Sequence, residues 1–116
     1  MKKTVSLKKN CDFQEVFKNG KTKGSDILVV FVAPFNGAET ENKQNRLGVT
    51  VSKKMGNAVK RNLLRRRIKE AFRTFEQELK GGHDIVILPK QGLADASFLH
   101  IKKTLKGIMR RQGLLA

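Results

Sequence analysis

The sequence predicts a small α+β fold, a two-layer sandwich in which three helices lie on a mostly antiparallel mixed sheet of about four strands. Three observations predict it. One long stretch, Asn57 to about Lys80, repeats its apolar residues at helical spacing. Short apolar runs at Ile27 to Ala33, Leu47 to Ser52 and Ile85 to Leu88 have the length and β-branched content of strands. The two kinds of segment alternate along the chain in the order αβββαβα, which suits helices packed on one small sheet. At 116 residues the chain is expected to form a single domain, 1–116, with one modest core.

The elements follow in order. Lys2, Lys3, Lys8 and Lys9 make residues 1–9 a basic arm. Asn10 or Asp12 can then cap a short helix carrying Phe13, Val16 and Phe17, with Gly20 as its stop. The run Ile27 to Ala33 is apolar throughout, as a buried strand is, and Pro34 ends it. Residues 36–45 are polar and aperiodic and read as a hairpin-type loop. Leu47, Val49 and Val51 alternate with Gly48, Thr50 and Ser52, the period of a strand with one covered face. Lys53, Lys54, Met55 and Gly56 turn the chain into the long helix, whose Leu64, Ile68, Ala71, Phe72, Phe75 and Leu79 fall within an arc of roughly 100°. Gly81 and Gly82 close it, and Ile85 to Leu88 form a further strand ended by Pro89. Asp95 or Ser97 can cap a last helix with Phe98, Ile101, Leu105 and Ile108 on one face, after which residues 111–116 are expected to fray.

Charge narrows the function. Lys and Arg outnumber Asp and Glu by 25 to 10, a net charge of +15, and such a field favours a polyanion. The lone cysteine, Cys11, excludes an internal disulfide and zinc sets built on a Cys-x-x-Cys pair, which fits a reducing cytoplasm. No apolar run approaches the roughly 20 residues of a membrane span, and the basic start lacks the apolar stretch of a signal peptide.

The informative segment runs from Val51 to Arg73, where nine residues are Lys or Arg. On a helical projection Arg61, Asn62, Arg65, Arg66, Lys69 and Arg73 fill a contiguous arc of roughly 140° beside the apolar one. Guanidinium forks at helical spacing can bind neighbouring phosphates, and Asn62 among them offers a donor and an acceptor to a base edge or ribose hydroxyl. An ordinary solvated helix would neutralise its cations with i, i+4 carboxylates, but only Glu70 is acidic between Asn57 and Phe75.

These residues resemble the bacterial ribonuclease P protein family, whose signature runs Val-Ser-Lys-Lys-x-Gly-Asn-Ala-Val-x-Arg-Asn-Arg. Val51, Ser52, Lys53, Lys54, Gly56, Asn57, Ala58, Val59, Arg61 and Asn62 stand in those places. The likeness extends from Leu7 through Lys18 to the Asp84 to Ile87 strand and the final helix. Leu63 departs from it by replacing the family's second arginine, while Arg65 and Lys69 exchange one cation for another; Lys60 and Arg67 can compensate in part.

The resemblance implies a fold like ribosomal protein S5 domain 2, with a left-handed crossover through the long helix where physics alone favours a right-handed one. It implies a protein subunit that binds the ribonuclease P catalytic RNA and the 5′ leader of precursor tRNA. The RNA would supply catalysis with Mg²⁺ that it holds itself, with no obligate protein partner. The signature and the basic arc together make Lys53, Lys54, Asn57, Lys60, Arg61, Asn62, Arg65, Arg66, Lys69 and Arg73 the expected RNA-binding residues. Phe13, Phe17 and Phe31 would by spacing alone be core, but the resemblance implies that they line a cleft for single-stranded leader. Phe72, Phe75 and Phe98 are expected in the core; Phe35 is unassigned.

Nothing in the sequence marks catalytic residues. His83, in a glycine turn, and His100, on the last helix, lack a partner spacing for acid-base cleavage and read as solvated. Asp12, Asp26, Asp84 and Asp95 show no two-metal clustering, although Asp84 could take a single cation. A ribosomal-type RNA-binding protein would share the charge but not the signature. A self-sufficient nuclease would need a catalytic set, and a helix-turn-helix DNA-binding protein a short partner helix where strands flank the basic one.

Overall fold

A computed structural model describes residues 5–6, 10–34 and 45–115. Phe35, the polar stretch 36–44 and most of the basic arm lie outside the described residues. The chain contributes β1 (Val5–Ser6), α1 (Asn10–Asn19), β2 (Lys21–Gly24), β3 (Leu28–Pro34), β4 (Arg46–Val49), α2 (Ala58–Arg73), β5 (His83–Pro89) and α3 (Phe98–Arg111), with single 3-10 turns at Lys53–Met55, Glu76–Glu78 and Gln91–Asp95. The strands form one sheet in the order β1-β4-β5-β3-β2. At its centre β5 runs antiparallel to β3, from Leu28 opposite Pro89 to Pro34 opposite His83, and parallel to β4. Antiparallel β2 and the parallel two-residue β1 form the edges. The sheet is therefore mixed, with two parallel and two antiparallel pairings, and with three helices it makes an α+β fold.

Alternation along the strands divides the core. Leu28, Val30 and Val32 of β3, Leu47 of β4, and Ile85 and Ile87 of β5 face α2 and α3 and pack with Leu64, Ile68, Phe72, Phe75, Ile101, Leu105 and Ile108. The intervening Phe31, Ala33 and Val86 face the other way, where Val16 and Phe13 of α1 cover them. Gly20 ends α1 as expected: its N–H donates to the Val16 carbonyl at 2.8 Å. A Cβ at Gly20 would lie 2.4 Å from that oxygen.

Several expectations need correction. Residues 36–45 do not join a hairpin, because β5 lies between β3 and β4. Two edge strands were not located by patterning: β2 is polar and exposed along its length, and β1 falls within the expected basic arm. The long helix stops at Arg73, after which Phe75 and Leu79 reach the core through a 3-10 turn. Apolar spacing of three and four residues does not distinguish that path from a continuous helix. Phe98 is not core but 44% exposed, in the first turn of α3 ahead of the side that meets the sheet.

Contrary to expectation, residues 111–115 do not fray, while Ala116 lies outside the described residues. Gly113 takes φ +83°, its N–H donates to the Arg110 carbonyl at 3.0 Å, and the Leu114 N–H donates to the Met109 carbonyl at 2.9 Å. These two bonds make a Schellman cap, and Leu114 packs into the core beside buried Met109 as that motif favours. The Lys80 N–H then donates to the Leu114 carbonyl at 2.9 Å, tying Leu114 to the turn before β5.

Candidate nucleic-acid interface

The basic helix is set in place from its N-terminal end. Ser52 caps the 3-10 turn of Lys53 and Lys54. Gly56 reverses the chain at φ +130°, a conformation that side chains with a Cβ rarely adopt. Asn57 Oδ1 then accepts the Lys60 N–H at 2.9 Å and caps α2. Asn57, expected among the RNA contacts, thus has its carbonyl oxygen committed to the helix. Lys53, Lys54 and Lys60 are exposed around this end.

Further along α2 five of the six residues of the expected arc come together. Asn62, Arg65, Arg66, Lys69 and Arg73, with Glu70, line a shallow hollow of about 370 Å³. The Arg65 guanidinium donates to Asn62 Oδ1 at 2.7 Å, which engages one lone pair of that oxygen and leaves the NH₂ group without a partner among the described residues. Arg61 lies half-buried beside the ridge, its Nε enclosed without a hydrogen-bond partner. The ion pairs found among the described residues, Arg46 with Asp84 and His100 with Asp26, involve none of these cations. Glu70 was missed as a member of the site, although it follows Arg66 by four residues and precedes Arg73 by three, which sets it at the edge of the basic arc.

The three phenylalanines come together on the opposite side of the sheet. Phe17 and Phe31 meet edge to face with ring centroids 5.1 Å apart, and Phe13 lies 6.4 Å from Phe17. Phe13 and Phe31 are half-buried against Val16, Ala33 and Val86, while Phe17 is 40% exposed. The basic ridge and the phenylalanine cluster therefore lie on different faces of the sheet, α2 on one side and α1 on the other.

At the starts of β4 and β5 a polar cluster forms around Asp84. Arg46 holds Asp84 through two hydrogen bonds of 2.6 Å. Buried Asn45 donates to the Lys80 carbonyl at 3.1 Å and accepts the His83 N–H at 2.9 Å. His83 is not a solvated histidine: it is half-buried, and burial holds its imidazole below the usual 6.5, against smaller opposing effects from the Gly81 and Lys80 backbone and Asp84. Its Nδ1 is enclosed without a partner. Among the described residues no three His, Cys, Asp or Glu side chains stand close enough to hold a metal ion, and no helix is long and apolar enough to cross a membrane.

Comparison with known proteins decides the family, since the Ribonuclease P family model matches residues 1–113. The chain belongs to the ribonuclease P protein family. The ribonuclease P protein component of Clostridioides difficile is 37% identical over 110 residues, a match that covers 94% of this chain and 92% of that protein. That of Geobacillus kaustophilus is 34% identical over 113 residues, covering 97% and 90% respectively. Among solved structures, the ribonuclease P protein of Staphylococcus aureus superimposes with a TM-score of 0.82 at 32% identity, covering 98% of this chain and 100% of that one. The Thermotoga maritima ribonuclease P protein does so with a TM-score of 0.79 at 29% identity, over 91% and 96%. The ribonuclease P fold thus accounts for the chain almost end to end.

Proposed function

We propose that this chain is the protein subunit of a cytoplasmic ribonuclease P, which removes the 5′ leader of precursor tRNA to give the mature 5′ end. In this reading the catalytic RNA supplies the Mg²⁺-dependent hydrolysis and the protein supplies positioning. The observation that carries it is the row of cations along α2, for which the described residues offer one neighbouring carboxylate, Glu70, and no ion pair. Such a row on a rigid helix spaces its guanidinium groups to meet successive phosphates of a folded RNA, and the counterions released there drive binding. The exposed Phe17 ring, flanked by Phe13 and Phe31, gives unstacked leader bases an apolar surface on the other side of the sheet.

The test is reconstitution with a bacterial ribonuclease P RNA and a precursor tRNA at low Mg²⁺. Addition of this chain should stimulate leader removal, whereas rigorously RNA-free protein should leave the precursor intact. Absence of stimulation would remove the proposal, and cleavage by the protein alone would move catalysis onto the chain.

A further inference from the structure

We propose that the hollow on α2 is a single-nucleotide pocket that selects guanine, with Glu70 as the residue that reads the base; this rests on the RNA-binding reading above. At about 370 Å³ the hollow stands at the small end of ligand pockets, whose volumes run from about 300 to 1,000 Å³. Its hydrogen-bonding inventory is lopsided. Arg65, Arg66, Lys69 and Arg73 only donate. Asn62 already accepts from Arg65 at 2.7 Å, which leaves one lone pair and two amide donors. Among the lining residues Glu70 alone carries a carboxylate.

Glu70 is also uncommitted. Arg66 and Arg73 stand at helical ion-pair spacing on either side, yet neither ion pair among the described residues includes Glu70. The sequence of charges explains this in part, because a cation four residues before a carboxylate is the weaker order for such a pair. In a surface built only for phosphate, a free carboxylate would repel the ligand. Beside four donors that hold a phosphate or ribose, it can instead accept from a base. Guanine offers two adjacent donors, N1–H and the N2 amine, which match the two oxygens of a carboxylate. Adenine and cytosine set a single amine beside a ring nitrogen acceptor, which a carboxylate repels, and uracil places its N–H between two carbonyls. Guanidinium planes of the neighbouring arginines can stack on the inserted base in place of an aromatic ring.

The test uses the intact chain and uridine-rich RNA hexamers carrying one central guanosine, inosine, adenosine or cytidine, with binding followed by fluorescence anisotropy at one low salt concentration. The guanosine hexamer should bind tighter than the other three by roughly 5- to 100-fold, the discrimination typical of a bidentate base contact. Inosine, which lacks only the N2 amine, isolates the second hydrogen bond. Glu70→Gln should bring all four hexamers within about twofold of one another while tightening the adenosine and cytidine ones, as a repulsive charge is removed. Equal binding of the four by the unmodified chain, or a guanine preference that survives in Glu70→Gln with an unchanged melting temperature, would overturn the pocket. If reconstitution succeeds while the hexamers fail to bind or show no preference, the pocket falls and the subunit reading stands; if neither RNA is bound, both fall.

Discussion

His83 shows how burial converts an ordinary side chain into a pH-dependent element. Its folded-state pKa lies below the 6.5 of a free imidazole, chiefly because burial penalises the charged ring. The unfolded chain therefore binds a proton more readily than the folded one, and stability that is complete above pH 6.5 is lost as pH falls toward the folded-state value. Melting temperatures measured from pH 8 down to 5 should fall more steeply for the unmodified chain than for His83→Gln; parallel curves would show that the ring titrates alike in both states. Phe17 poses the complementary question, because it is exposed where Phe72 and Phe75 are buried. Phe17→Ala should cost well below the roughly 3 to 5 kcal/mol of a core phenylalanine. It should weaken binding of precursor tRNA more than of mature tRNA, and a large fall in melting temperature with no such difference would return Phe17 to the core.

At the scale of elements, α2 separates capping from recognition. Asn57→Ala removes an N-cap and should cost about 1 kcal/mol, readable by denaturant titration, and Asn57→Asp should keep the cap while setting an anion beside Lys60. Neutralising Arg65 and Arg66 together should leave stability nearly unchanged and lower the log-log salt slope of RNA binding by about 0.7 to 0.9 for each phosphate that is no longer neutralised. An unchanged slope with a marked loss of stability would make the ridge structural. The ridge was legible in the sequence because charge and apolarity on α2 obey the same helical period, so both arcs can be drawn without coordinates. The polarity of Asn62 was not legible, since its acceptor is engaged by the rotamer of Arg65. The cap at Gly113 was legible in principle, as a glycine followed by Leu114 is the usual form of a Schellman ending, but the short tail beyond it read as loose chain.

For the whole molecule, the elements with an apolar period and their α+β class were legible in the sequence, and the order of the strands was not. Nothing in β2, whose Lys21 and Lys23 point to solvent, distinguishes an edge strand from a loop; positive charge on such an edge is itself a guard against unwanted pairing. Nor does local pattern reveal that β5 enters between β3 and β4, because strand order is set by packing among segments distant in the chain. Arg46 and Asp84 meet across 38 residues of sequence for the same reason. The central position of β5 also governs how the molecule is made. Synthesis delivers β3 and β4 first, with apolar faces and without the strand that joins them, so the sheet can close only once residues 83–89 have left the ribosome. A chain ending at Gly82 should accordingly lack cooperative unfolding by circular dichroism, and a folded fragment would refute this. During translation the nascent chain thus carries all of its α2 cations before it has a stable sheet, which leaves a strongly basic, unfolded segment among the RNA of the ribosome until its last central strand arrives.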